Sequence, residues 1–242
     1  MITPGYPGLN FLAETMEDVA GGKRKLIDAA LRLAAARRSF AGLGLRELAR
    51  EAGLNPNTFY RHFRDMEDLA LTAVAEVSNE LRPMLRAVRW AVARDNPGEV
   101  ATRACDAFFA YAEAHPDAFF VGVCGSTGPQ PALRDAVRQL LADISAEMAE
   151  DIERLALCPG LSRPVIDDLC GYVVSYLFHL STDYLEDSAK GRRQRIQQSR
   201  QLIGWLLRGA AEQQRAQERE QSQAQPAPAP ARKRKPPERR PH

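Results

Sequence analysis

The fold is decided by the stretch LRELAREAGLNPNTFYRHF, residues 45–63. Its first part has the composition of a short helix that ends at Gly53, because glycine readily adopts the left-handed conformation that follows a last helical turn. Asn55 and Pro56 then form a helix start signal, since asparagine caps a helix and proline suits its first position. The stretch therefore predicts two short helices joined by a tight turn, a helix–turn–helix.

The second predicted helix combines apolar and basic side chains. With helical periodicity, Phe59 and Phe63 share one face, and Asn57, Arg61 and Arg64 lie nearly opposite. Such a helix fits one that is anchored on a core and presents its polar face to the major groove of DNA. An ordinary antiparallel helix pair with a solvated polar face is the alternative. Thr58 lies beside the polar group, and Tyr60 and His62 flank the two sides of the helix.

The longer segment LRELAREAGLNPNTFYRHFRDMEDLALTAVAE, residues 45–76, resembles the DNA-binding domain of the TetR family of transcriptional regulators. The Tyr-Arg-His-Phe element after the turn and the Asn-Thr pair carry the resemblance. It implies an all-α fold, with an N-terminal three-helix helix–turn–helix domain and a C-terminal helical ligand-binding and dimerisation domain. It also implies a homodimer that binds a double-stranded DNA operator.

The resemblance implies a set of DNA contacts. Asn57, Thr58 and Arg61 are expected to approach base edges, where an arginine can pair with guanine. Tyr60, His62 and the start of the preceding helix are expected to hold phosphates. The residues assigned to DNA binding are Lys25, Gly44, Arg46, Asn55, Asn57, Thr58, Tyr60, Arg61, His62 and Arg64.

Two of these positions depart from the family pattern. Gly44 caps the first helix of the motif where the family usually has serine or threonine, so a phosphate-binding hydroxyl is missing. After Phe63 the sequence lacks the lysine that many members place near Met66 or Glu67, and Arg64 is expected to replace it.

Charge is distributed unevenly along the chain. Residues 23–65 hold ten Lys/Arg against four Asp/Glu, residues 66–190 hold ten against twenty, and residues 191–242 hold thirteen against four. A basic block beside an acidic body is typical of a polyanion-binding module attached to another domain. The four cysteines show neither Cys-x-x-Cys nor Cys/His ligand spacing, so no metal and no disulfide framework is expected.

The chain divides into four predicted segments. These are an N-terminal extension at 1–22, the helix–turn–helix domain at 23–67, the ligand-binding and dimerisation domain at 68–212, and a disordered basic, proline-rich tail at 213–242. About nine helices are expected, with Pro83 kinking the long helix that starts near Met66. There is no secretory signal and no apolar run of membrane-spanning length, which predicts a cytoplasmic protein.

The C-terminal domain is expected to hold a small hydrophobic effector. The loop GVCGSTGPQPALRDAV, residues 122–137, and the register of residues 38–65 resemble the branch of the family that contains fatty-acid-responsive repressors of lipid metabolism. This implies a long-chain acyl-CoA or fatty acid as effector. Most aromatic stripes are only core, which is the competing interpretation of the same residues. The candidate ligand residues are Phe108, Phe109, Phe119, Phe120, Arg134 and Tyr176.

Other functions remain open at this point. Asp106, Glu113 and Asp183 would favour a cationic drug and control of efflux genes, provided that they face the cavity. A helical enzyme is disfavoured, because the sequence has no nucleophile elbow or metal cluster, and the glycine-containing loop lacks the ending of a phosphate-binding loop. No cofactor is expected. A helical adaptor without DNA binding is the last alternative.

Dimerisation is expected through residues 165–186 and 192–211. A stripe at helical spacing that includes Tyr172, Tyr176 and Tyr184, followed by a second helix that contains Trp205, would form a four-helix bundle with a two-fold mate. The same stripe would also fit the core of a monomer.

Overall fold

A computed structural model describes the backbone of residues 7–224 and the side chains of residues 21–220. Over these residues the chain is built from helices without a strand, so the all-α prediction is confirmed. The helices are α1 (Pro7–Arg37), α2 (Leu45–Ala52), α3 (Pro56–Phe59), α4 (Met66–Asp95), α5 (Val100–Ala114), α6 (Pro116–Thr127), α7 (Pro131–Arg154), α8 (Arg163–Glu186) and α9 (Ala189–Ala224), with a single 3₁₀ turn at Pro97–Glu99.

The N-terminal domain packs α2 and α3 on the C-terminal half of α1. One apolar cluster joins the three helices through Leu26 and Ile27 of α1, Leu48 of α2, Phe59 of α3 and Phe63, which follows α3. Each of these side chains is almost completely buried, which removes several large apolar surfaces from water and fixes the angle between the three helices.

The first helix is longer than the sequence predicts. It was expected to begin near Lys23, and it begins at Pro7, so most of the predicted N-terminal extension is helical backbone. The segment between these residues is rich in good helix formers, and the Gly21–Gly22 pair lowers the stability of a helix without ending it.

The C-terminal domain is a bundle of α4 to α9. Helix α4 lies against α5 and α7, α7 lies against α8, and α9 covers α8 and α5. Helix α4 continues through Pro83 to Asp95. No helix among the described residues has an apolar stretch long enough to cross a bilayer.

The two domains share one apolar core. Val121 of α6, Leu133 and Val137 of α7 and Phe178 of α8 belong to the same buried cluster as the helix–turn–helix core. Ion pairs from Arg24 of α1 to acidic residues of α4 add to this contact. A change in the packing of the bundle therefore directly changes the contacts of α1.

The last helix also differs from the prediction. A disordered tail was expected from residue 213, and α9 continues to Ala224. Residues 212–224 contain mostly Gln, Glu, Arg and Ala, which favour helix, and the first proline comes only at residue 226. Residues 225–242, with most of the basic tail, lie outside the described part of the chain.

Candidate DNA-binding surface and effector cavity

The turn between α2 and α3 forms as its sequence predicts. Gly53 has φ 67°, and its amide donates to the carbonyl of Arg50 at 3.2 Å. The Asn55 side chain caps α3 by accepting the Asn57 amide at 2.9 Å, and Pro56 takes the first helical position. Gly44, at the start of α2, provides no side-chain cap.

The α-helical part of the second helix is shorter than the sequence predicts. It ends at Phe59, and the chain continues as a tightened turn in which the amides of Arg61 and His62 donate to the carbonyls of Thr58 and Phe59. The amide of Phe63 still donates to the Phe59 carbonyl at 2.9 Å, so the two phenylalanine side chains both reach the core. The predicted division into an apolar and a polar face therefore holds, although the helix is shorter.

The predicted DNA-binding side chains lie on the outer side of this unit. Asn55, Asn57, Arg61 and Arg64 are exposed, and Tyr60 is 66% exposed, a large value for an aromatic residue. Thr58 and His62 are partly buried, whereas Lys25 of α1, Arg46 of α2 and Gly44, which precedes α2, are exposed.

The basic side chains of this domain fall into two groups. Lys23, Arg24, Arg32, Arg37, Arg38 and Arg64 each form an ion pair with an acidic side chain. Lys25, Arg46, Arg50 and Arg61 form none with the described carboxylates. An unpaired surface cation keeps its charge available for a phosphate or a base edge. Arg50, on the exposed side of α2, is a member of this group that the sequence did not single out.

His62 is held at the edge of the surface by α1. A methyl group on Gly22 would lie 3.1 Å from Nε2 of His62, so the imidazole lies directly against the glycine backbone. Partial burial, together with the positive charges of Lys23 and Arg61, lowers the pKa of His62. The ring is therefore neutral at neutral pH in the free protein.

The C-terminal domain contains an apolar cavity of about 280 Å³. Its wall includes Leu31 of α1 and Val74 of α4, as well as side chains of α5 to α9. The exposed members of the lining are Pro97, Gly98 and Ala101, which places the opening beside the 3₁₀ turn. A cavity of this kind suits a small hydrophobic ligand.

The predicted ligand residues divide between the cavity and its surroundings. Phe108 and Phe119 line the cavity, with their ring centroids 5.5 Å apart. The other four lie outside the lining. Phe109 packs on Tyr184 at 4.4 Å, Phe120 lies under the guanidinium of Arg38, Arg134 donates to the carbonyl of Gly128, and Tyr176 packs in the bundle core.

The three carboxylates that would favour a cationic ligand are absent from the cavity lining. Each of them instead pairs with an arginine of α9: Asp106 with Arg200, Glu113 with Arg192, and Asp183 with Arg195. Glu113 also accepts the hydroxyl of Tyr184 at 2.8 Å, which contributes to a raised pKa of that phenol, about 12, although burial is the larger cause. These ion pairs attach α9 to the bundle.

The cavity wall contains one charged side chain among the described lining residues, Arg89. Its Nε and Nη2 donate to Oδ2 of Asp151 at 2.8 and 2.6 Å, and Trp90 donates to Oδ1 at 2.8 Å. Arg89 is 3% exposed and Asp151 is 0% exposed. This pair was not predicted from the sequence, although Arg89 follows the buried Leu85 of α4 by four residues and so falls on the same face of the helix.

The family comparison agrees with the geometry of the helix–turn–helix. Residues 26–73 match the family model described as "Bacterial regulatory proteins, tetR family". The N-terminal domain is a tetR-family DNA-binding domain. The match supports a DNA-binding transcriptional regulator of the TetR type, a class of proteins without enzymatic activity.

Solved structures share the fold of the whole helical region. A putative tetR family transcription regulator from Shewanella sp. PV-4 is 20% identical, covers 77% of this chain and 95% of its own, and gives a TM-score of 0.60. The fatty acid degradation regulator FadR from Bacillus halodurans is 15% identical, with 77% and 94% coverage and a TM-score of 0.62. FadR from Bacillus subtilis, solved in complex with stearoyl-CoA, is 14% identical, with 76% and 97% coverage and a TM-score of 0.52. The TM-scores show a common fold, and at these identities the likeness shows the fold alone.

Proposed function

We propose that this TetR-type regulator is a homodimer whose binding to operator DNA is modulated by a hydrophobic effector, a long-chain fatty acid or its CoA thioester, and that it controls lipid metabolism genes. The observation that carries the proposal is the apolar cavity whose wall is shared by the bundle and by α1 of the DNA-binding domain. The likeness to the two FadR structures supports the choice of ligand class.

The DNA contacts are assigned to the exposed side of α2 and α3. Arg61 is exposed and forms no ion pair with a described carboxylate. It lies just after α3, next to the exposed side chains of that helix, so we assign it to a base edge. Lys25 and Arg46 supply phosphate contacts, which fix orientation without reading sequence. Arg64 donates to Asp68 in the free protein, so a DNA contact by Arg64 would require that ion pair to loosen.

The effector is assigned to the cavity because its wall is almost entirely apolar. Alkyl chains bind such a wall by leaving water, and a cationic drug would find no carboxylate among the described lining residues. Leu31 and Val74 belong to α1 and α4, the helices that flank the helix–turn–helix on either side in the chain. A ligand that contacts them differently in two arrangements of the domains would shift the population that fits DNA.

Dimerisation is assigned to the outer face of α8 and α9. Tyr172 is 65% exposed and Trp205 is 56% exposed, and both lie on these last two helices. Tyr184, another member of the predicted stripe, is buried within the protomer. Large exposed aromatic side chains of this kind are typical of interfaces.

Effector coupling is tested by titrating operator DNA with protein in the presence and absence of palmitate and palmitoyl-CoA. We expect the effector to change operator affinity by about 5- to 150-fold. An Ala104→Phe variant fills the cavity from α5 and should abolish that change, because the alkyl chain loses its space. The matched control is Ala110→Phe, an exposed position of the same helix, which should keep the change. An effector response that persists in the Ala104 variant would contradict the site.

Operator affinity is also expected to depend on pH through His62. Because the pKa of His62 is lowered in the free protein, the ring approaches DNA uncharged, and a nearby phosphate favours its protonated form. Binding would then take up a proton. Operator affinity should therefore rise as the pH falls from about 8 to about 6 at constant salt. The slope of log affinity against pH should correspond to at most about one proton per protomer. The slope should disappear in His62→Gln; a flat profile in the unaltered protein would contradict the assigned contact.

A further inference from the structure

We infer that Arg89 is the head-group site of the cavity and that it binds the carboxylate of a free aliphatic acid. The inference rests on the proposed function, because it assigns the polar end of the effector that the cavity would hold. It replaces Arg134 as the expected partner of an anionic head group, since Arg134 lies outside the lining and donates to the carbonyl of Gly128 at 2.7 Å.

The guanidinium of Arg89 is held in a fixed orientation and has a nitrogen, Nη1, that makes no hydrogen bond with the described residues. Asp151 holds its Nε and Nη2, which fixes the plane of the guanidinium. Nη1 has no hydrogen-bond partner among the described residues, although Arg89 is 3% exposed and lines the cavity. A guanidinium carries five N–H donors, and Nη1 of Arg89 is not among the fully buried side-chain atoms that lack a partner, so it keeps accessible surface from which it can donate to an acceptor on the ligand.

The charged side chains around Arg89 carry an excess of positive charge. Arg86 lies 3.3 Å from Asp151 and 3.4 Å from Glu150, and Arg154 lies 2.8 Å from Glu150. Arg154 and Glu150 are 55% and 39% exposed and solvated, which leaves Arg86 and Arg89 as two guanidinium groups beside the buried carboxylate of Asp151. A single ligand carboxylate would balance the cluster, and a buried carboxylate requires such a partner.

The geometry favours a free acid over a CoA thioester as the group at this site. A CoA head carries several phosphate charges, whereas the described lining offers one cationic side chain. The rest of the wall is apolar and receives the alkyl chain. The opening at Pro97, Gly98 and Ala101 follows Arg89 along the chain, at the same end of α4. A linear acid can therefore place its carboxylate at Arg89 and its alkyl chain against the apolar wall.

The test measures head-group preference by direct binding without DNA. Hexadecanoic acid, hexadecan-1-ol and palmitoyl-CoA each compete with the neutral dye Nile red for the full-length protein. We expect the acid to bind about 10- to 100-fold more tightly than the alcohol, the range for a hydrogen bond to a charged group. The comparison in the unaltered protein does not depend on any variant folding.

Two variants then test whether Arg89 causes the preference for the acid over the alcohol. Asp151→Asn keeps the Arg89 cation and should keep the preference for the acid. Arg89→Met combined with Asp151→Asn removes the cation without leaving a carboxylate buried, and it should reduce the preference to about threefold or less. Circular dichroism melts confirm that both variants are folded.

Three results would overturn the inference. Equal binding of acid and alcohol by the unaltered protein would remove the head-group site and leave a hydrophobic effector in place. Tightest binding by palmitoyl-CoA, reduced in the double variant, would assign Arg89 to a thioester rather than a carboxylate. Displacement of Nile red by none of the three would overturn the inference and the proposed effector class together.

Discussion

An Asp151→Ala variant is expected to lose about 3–5 kcal/mol of unfolding free energy, because it removes one partner of a buried ion pair and leaves the other charge without compensation. Asp151 is fully buried and accepts hydrogen bonds from Arg89 and Trp90, with Arg86 at 3.3 Å. Two guanidinium groups and an indole N–H would lose this acceptor at once. Denaturant unfolding followed by circular dichroism measures the change.

The matched control is Asp135→Ala on the same helix. Asp135 also pairs with an arginine, Arg138 at 2.6 Å, but the two side chains are 69% and 70% exposed. Exposed pairs contribute little, so the control should change the unfolding free energy by less than about 0.5 kcal/mol. Equal losses in the two variants would mean that burial of the Arg89–Asp151 pair does not govern its contribution.

A Phe59→Ala variant is expected to lose about 3–5 kcal/mol, the usual cost of removing a buried phenylalanine ring and leaving a cavity. The ring is 2% exposed, with the Phe63 ring centroid 5.6 Å away, and it belongs to the cluster that holds α3 on α1 and α2. Specific DNA binding should be lost with it, because the outer face of α3 loses its support. Thermal melts and operator titrations measure the two effects.

The neighbouring residue provides the contrast. Tyr60 is 66% exposed, and its ring meets Phe59 edge-on at 5.4 Å. Tyr60→Ala should therefore change stability by about 0.5 kcal/mol or less while weakening DNA binding. A large stability loss in Tyr60→Ala, or none in Phe59→Ala, would show that the two faces of this segment are assigned the wrong way round.

Local signals made the helix–turn–helix predictable. The left-handed Gly53, the Asn55 cap and the Pro56 start act within a few residues, and the spacing of Phe59 and Phe63 alone indicates which face is buried. The family resemblance extended this from one motif to a fold class. The early end of α3 was not predictable in the same way, because the turn after Phe59 keeps backbone hydrogen bonds to Thr58 and Phe59 and so leaves the helical spacing of the side chains unchanged.

The cavity depended on long-range packing, which no local pattern encodes. Arg89 and Asp151 are 62 residues apart, and only the packing of α4 on α7 brings them together. Phe109 and Phe108 are adjacent in sequence, yet only Phe108 lines the cavity, since Phe109 turns to Tyr184. Composition could identify an aromatic helix there, but which of its rings border the empty space follows from the positions of α8 and α9.

The most direct measurement of the central claim is a titration of the DNA upstream of the protein's own gene, at two salt concentrations, with the unaltered protein, Arg61→Ala and the control Arg138→Ala. Two salts are needed because phosphate contacts make any single affinity depend on ionic strength. We expect sequence-preferring binding that Arg61→Ala weakens by about 1–3 kcal/mol, whereas Arg138→Ala should bind as the unaltered protein does. Binding without sequence preference at either salt, on that region and on DNA selected from random sequences, would contradict the assignment of this surface to operator DNA.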